Sequence, residues 1–200
     1  MAHRKLAVLG FVAFPVLLAG CGGAGSVATT TTTSAPTTST TSPPTTTTTS
    51  ATTAASGCVL SQLAITSSSN AGLGHIGAIL VFTNASQVTC TLQGYPGVAM
   101  LNAQGAQVVQ AIRTPSGYLG GIQPGTSPPL VTLKPGAAAS ATLEGDDVPT
   151  GTATTCPTYP KILVTPPNAT QSATLPVSMP GCSPVQIHPV VPGSSGSLGL

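Results

Sequence analysis

Gly77-Ala78-Ile79-Leu80-Val81-Phe82-Thr83 is an unbroken apolar run closed by Asn84, and Val88-Thr89-Cys90-Thr91-Leu92, just beyond it, alternates apolar residues with threonine. The first pattern predicts a central strand covered on both faces, the second a strand with one face on the core. Working outward, Val98–Leu101 and Gln107–Ile112 flank Asn102-Ala103-Gln104-Gly105, a hairpin with glycine at the position that needs a positive φ. Val131 and Leu133 bracket Thr132 ahead of the turn Lys134-Pro135-Gly136, and Ala139, Ala141 and Leu143 alternate with Ser140 and Thr142. Ile162–Thr165 runs into Pro166-Pro167, and Ala173–Ser178 and Val185–His188 complete the series; upstream, Val59, Leu63 and Ile65 share one parity. Helical periodicity is absent. About eight to ten short strands bounded by Gly, Pro, Asn and Ser predict an all-β fold, an immunoglobulin-like two-sheet sandwich, with a closed barrel as the alternative.

That pattern occupies residues 58–190 of a 200-residue chain whose two ends are different material. Arg4 and Lys5 precede an apolar stretch, Leu6–Ala19, shorter than the roughly 20 residues a spanning helix needs. It closes on Leu18-Ala19-Gly20-Cys21, small residues before a cysteine, which is the pattern of a bacterial lipobox. Residues 1–20 are therefore expected to be a lipoprotein signal peptide and Cys21 the lipidated residue. Two or more acyl chains hold a protein firmly at a membrane, whereas one is marginal. Residues 21–57 form a linker: from Ala28 to Thr53, 16 of 26 residues are Thr, and the rest are Ser, Pro and Ala. No side chain there offsets an ordering cost of ~1–2 kcal/mol per residue, so a disordered Thr/Ser/Pro-rich stalk is expected. Residues 191–200, rich in Gly and Ser, are expected to form a flexible tail.

Charge narrows the partners. The chain is 4% charged with a net charge of +2, and Arg4 and Lys5 account for that excess. Beyond them Arg113, Lys134 and Lys161 balance Glu144, Asp146 and Asp147, leaving nothing to neutralise a run of phosphates, so nucleic acid is excluded as a partner. The expected partners are the membrane, through the lipid anchor, and an envelope protein or glycan. With Cys21 lipidated, Cys58, Cys90, Cys156 and Cys182 remain, an even set that pairs in an oxidising compartment. Of three connectivities, 58–90 with 156–182 is favoured because each bond ties neighbouring segments. The cysteines lack CxxC spacing or a histidine pair, so no metal and no cofactor is expected.

Chemistry is sparse. His75 and His188 are the bases available for nucleophilic catalysis, but no GxSxG elbow presents a serine, so no catalytic residue is assigned. Glu144-Gly145-Asp146-Asp147 reads as a solvated turn between strands. Asn84-Ala85-Ser86 and Asn168-Ala169-Thr170 match the N-glycosylation pattern. Thr114–Pro129 (TPSGYLGGIQPGTSPP) is a 16-residue loop without an obvious strand, a length that in compact domains tends to carry function. Its Tyr118, Leu119 and Ile122 are the candidate binding residues, an adhesive, partly apolar tip. Sugar binding is disfavoured unless Tyr95, Tyr118 and Tyr159 share one face.

The run His75–Gly97 (HIGAILVFTNASQVTCTLQGYPG), with Val131–Gly136 (VTLKPG), Leu163–Asn168 (LVTPPN) and Cys182, resembles a family of actinobacterial, often mycobacterial, envelope lipoprotein domains of unknown function. The resemblance implies a β-sandwich, export and four paired cysteines, with Gly94–Gly97 a tight structural turn, and it carries no catalytic residue. The expected function is an envelope-anchored lipoprotein displaying a non-catalytic interaction or adhesion domain. A carrier of lipid or a small hydrophobic ligand is the alternative, and a hydrolase ranks behind both.

Overall fold

The structure, a computed structural model, describes residues 54–199; the signal segment, Cys21 and the threonine-rich linker as far as Thr53 lie outside the described residues. In chain order the strands are β1 (Leu63–Gly72), β2 (His75–Asn84), β3 (Cys90–Leu92), β4 (Gly97–Leu101), β5 (Gln107–Gln110), β6 (Ile112–Arg113), β7 (Gly121–Ile122) and β8 (Val131–Leu133). They continue with β9 (Ala138–Asp146), β10 (Thr158–Tyr159), β11 (Lys161–Thr165), β12 (Ala173–Leu175), β13 (Met179–Pro180), β14 (Cys182–Ile187), β15 (Val191–Pro192) and β16 (Ser197–Leu198). A single 3₁₀ turn, Leu60–Gln62, precedes β1. Among the described residues no helix is long and apolar enough to cross a membrane.

The fold is an all-β sandwich. One sheet runs β1-β2-β9-β14-β6, with β15 also pairing β9, and the other runs β12-β11-β4-β5. Both sheets end in open edges, so the barrel alternative does not apply. Three two-stranded ladders, β3-β8, β10-β13 and β7-β16, are added to the two-sheet plan. Leu80, Phe82, Leu143 and Ile187 of the larger sheet and Val98, Met100, Ile162 and Val164 of the smaller belong to one buried cluster. With one phenylalanine and no tryptophan, this core is filled by aliphatic side chains and depends on close packing. The two disulfides are Cys58–Cys90 and Cys156–Cys182, with sequence separations of 32 and 26. Closing loops of that size restricts the unfolded chain by about 3.5 kcal/mol each.

The structure departs from the sequence pattern in β9, in the C-terminal stretch and in β1, each for a physical reason. First, Ser140 and Thr142 alternate with the apolar residues of their strand, yet both are fully buried, and β9 is covered on both faces. Second, residues 191–198 are not a frayed tail: Val191 pairs with Ser140, Ser197 with Gly121, and the Gly193 amide donates to the Ala138 carbonyl. This C-terminal stretch covers Ser140 and Thr142 of β9. Third, β1 continues through Thr66-Ser67-Ser68-Ser69-Asn70-Ala71-Gly72, a composition that reads as a turn. An unbroken register from Leu63 opposite Asn84 to Gly72 opposite His75 holds it extended, closed by Leu73-Gly74, both at positive φ (52° and 86°).

Candidate functional site

Ser140, Thr142 and Glu144 alternate along β9 and therefore lie on one face of the larger sheet, opposite the face that Ala139, Ala141 and Leu143 present to the core. A buried stripe of this kind is costly unless each polar atom is satisfied. The layer above it supplies the partners. Ser140 Oγ accepts the Gly196 N–H at 2.8 Å, and Thr142 Oγ1 donates to the Gly196 carbonyl at 3.0 Å. Glu144 accepts the Tyr118 N–H on Oε1 at 3.0 Å and the Leu119 N–H on Oε2 at 2.7 Å. Glycines let that layer approach so closely. A Cβ on Gly117 would collide with the Glu144 carboxylate, and one on Gly120 with Thr142 Oγ1.

Glu144 is only 2% exposed, which corrects the expected solvated turn at 144–147. On its other side lies His188, fully buried, with Nε2 at 3.4 Å from Glu144 Oε2 and without a hydrogen bond there. The Nδ1 side of the ring meets the Thr114 carbonyl at 3.0 Å and Thr114 Oγ1 at 3.1 Å, and that hydroxyl donates to Gln186 Oε1 at 2.9 Å. Burial pushes the Glu144 carboxyl up. The contact with His188 and the two N–H bonds from Leu119 and Tyr118 outweigh it and hold the carboxyl below its ordinary value. The buried carboxylate thus clasps the Tyr118–Leu119 segment from beneath.

The residue it holds in place is Tyr118. Its ring is stacked on His75, with centroids 4.1 Å apart and planes 16° from parallel, while the residue stays 69% exposed. His75 Nδ1 is in turn 3.0 Å from Asp146 Oδ1, its cross-strand neighbour on β9. Asn70 of β1 adds a bond from its side-chain amide to the Leu119 carbonyl at 3.1 Å. The result is an aromatic face presented to solvent on a loop fixed from three sides.

The three candidate loop residues therefore separate. Tyr118 is displayed, Leu119 is half-buried against Gly72 and Gly77, and Ile122 is 2% exposed within β7. The loop is shorter than its sequence suggests, because Gly121-Ile122 pairs in parallel with Ser197-Leu198. Tyr159 is buried, so the tyrosines do not share an exposed face. Asn84 is fully buried. Its amide donates to the Val88 and Leu133 carbonyls and its Oδ1 accepts the Ser86 N–H and hydroxyl, so this asparagine is a structural clamp. Gly94 takes a positive φ of 95° and its carbonyl accepts the Val190 N–H, as a structural turn requires. The four cysteines are all in disulfides, and Cys21 lies outside the described residues. Among the described residues no cluster of three or more His, Cys, Asp or Glu side chains is placed to hold a metal.

Glu144 and His188 meet although they stand 44 positions apart in the sequence (188 − 144). A signal existed: Glu144 continues the alternation of Ser140 and Thr142, so it belongs to the strand rather than to the turn after it.

These features define a disulfide-bonded β-sandwich domain with a glycine-rich layer clasped over one sheet. The chain belongs to the DUF4232 family, a domain of unknown function, which it matches over residues 58–191. No curated protein and no solved structure matches it.

Proposed function

We propose that this protein is an envelope-anchored lipoprotein whose β-sandwich is a non-catalytic interaction or adhesion module, presenting Tyr118 as its contact residue. One observation carries the reading: an exposed tyrosine ring is backed by His75 and its main chain is fixed by a buried carboxylate. Rigid, exposed aromatic rings lose little entropy on contact and recur as anchors of binding surfaces. The burial of His188 and Glu144 supports a structural rather than a catalytic role for that pair, since a substrate has no access to either side chain. Two disulfides suit an oxidising location, and the Leu18-Ala19-Gly20-Cys21 pattern supports lipid attachment there.

The test is retention of the full chain on an envelope preparation, comparing wild type with Tyr118→Ala. Loss of an anchor residue costs about 2 kcal/mol or more, roughly a thirtyfold loss of affinity, with the unfolding midpoint unchanged. Equal retention of both proteins removes Tyr118 from the reading.

A second reading has its own observation. Val59, Val88 and Leu130 are each more than half exposed and line two adjoining hollows of about 540 and 710 Å³ that share Thr91 and Leu130. A carrier of a small hydrophobic ligand would use that surface. Leu130→Asp would then abolish uptake of an apolar fluorescent probe, whereas the interaction reading predicts no change.

A further inference from the structure

Strand β1 is an edge strand, and it lacks the devices that normally protect one. It runs ten residues, Leu63–Gly72, with no proline, no charged side chain and no register shift against β2. The other edges are short: β6 has two residues, β12 three and β5 four. Long, flat, uncharged edges are templates for a further strand.

The free backbone groups can be assigned. Gly72 and His75 flank a two-residue turn, so they form a hydrogen-bonded pair, and every second residue from there repeats the pairing. Asn70, Ser68 and Thr66 therefore bond to β2, while Ile65, Ser67, Ser69 and Ala71 point their N–H and C=O groups outward. Among the described residues these outward groups have no backbone partner, whereas the Leu63 N–H is already taken by the Leu60 carbonyl. The free ladder runs from Ile65 to Ala71, with Ser68 at its centre.

We propose that this edge pairs with β1 of a second copy of the chain, antiparallel about a two-fold axis through Ser68. The segment is self-complementary in that register. Ile65 meets Ala71, Thr66 meets Asn70, Ser67 meets Ser69, and Ser68 meets itself, so apolar faces apolar and polar faces polar. The absence of charge means that two copies approach without repulsion. Every outward residue finds a partner in this register, giving about eight interchain backbone bonds. A ribbon of this size falls below the roughly 1,000 Å² of a stable interface, so the pair exchanges freely and covalent trapping is the suitable readout.

The experiment uses the purified full chain carrying Cys21→Ala, so that no other thiol is free, with Ser68→Cys or Thr66→Cys added. At the two-fold axis the Ser68 positions face one another in a non-hydrogen-bonded pair at about 4.5 Å, within disulfide range. The Thr66 positions, on the same strand face, are separated by about 13 Å. Mild oxidation is expected to shift Ser68→Cys to the dimer mass and to leave Thr66→Cys monomeric. Adding Ser67→Pro, which removes an outward N–H but no bond to β2, is expected to abolish the dimer while leaving the unfolding midpoint within a few degrees. A monomeric Ser68→Cys protein overturns the proposal, as does equal cross-linking at both positions or a dimer that survives Ser67→Pro.

Discussion

Replacing Glu144 with glutamine tests whether a buried carboxylate holds the Tyr118 loop. Glutamine fits the same space, and its amide oxygen can still accept one of the two loop N–H groups. Its NH₂ then faces the other donor, and His188 loses the carboxylate 3.4 Å from its Nε2. A hydrogen bond to a charged group contributes about 1.5–3 kcal/mol, and a buried donor left unsatisfied costs about 1–3 kcal/mol. Glutamine retains part of this, so the expected loss is about 2–4 kcal/mol, or roughly 5–15 °C in Tm for a domain of this size. Urea unfolding monitors the global effect, and amide exchange at Tyr118 and Leu119 monitors the local one. The sign with pH follows from the carboxyl's depressed value. Its stabilising contribution is complete above the ordinary carboxyl value of 4.5 and disappears as pH falls through the lower folded value. Wild type should therefore lose stability across that acidic range, and Glu144→Gln should lack that component. A loss under about 0.5 kcal/mol, with both amides still protected, would refute the clasp.

Two further outcomes follow from packing and connectivity. Gly77→Ala places a Cβ against the Leu143 carbonyl of the adjoining strand, where backbone cannot give way, and is expected to cost about 2–3 kcal/mol in denaturant unfolding. Replacing Cys58 and Cys90 together by serine is expected to cost about 3–4 kcal/mol; a double variant as stable as wild type would mean that this bond does not restrict the unfolded chain.

The central strands were legible because their residues obey one rule at a time. Gly77–Thr83 is continuously apolar and forms the middle of β2, between β1 and β9, with Ala78, Leu80 and Phe82 buried on the core face and Ile79, Val81 and Thr83 half-buried on the other. Val98–Leu101 lies in β4 opposite Ile162 and its neighbours. Legibility failed where tertiary cover overrides local pattern. Ser140, Thr142 and Glu144 look solvent-facing until a glycine-rich layer, drawn from residues 117–121 and 193–198, is laid over them. No local signal in either layer announces the other. Thr66–Gly72 failed for the opposite reason: serine and asparagine favour turns, but ten consecutive cross-strand pairs impose an extended backbone. The site was half visible. The loop's length and its tyrosine singled out Tyr118, whereas the burial of Ile122 in a short parallel ladder depends on a C-terminal segment whose Gly/Ser composition suggests fraying.

Intact mass of the membrane-extracted protein decides whether the sandwich is displayed from a lipid anchor. The predicted chain begins at Cys21, carries the added mass of at least two acyl chains on a diacylglyceryl group, and moves to the aqueous fraction unacylated on Cys21→Ala. A mature chain that retains residues 1–20, or one that begins elsewhere with an unmodified Cys21 thiol, would contradict it.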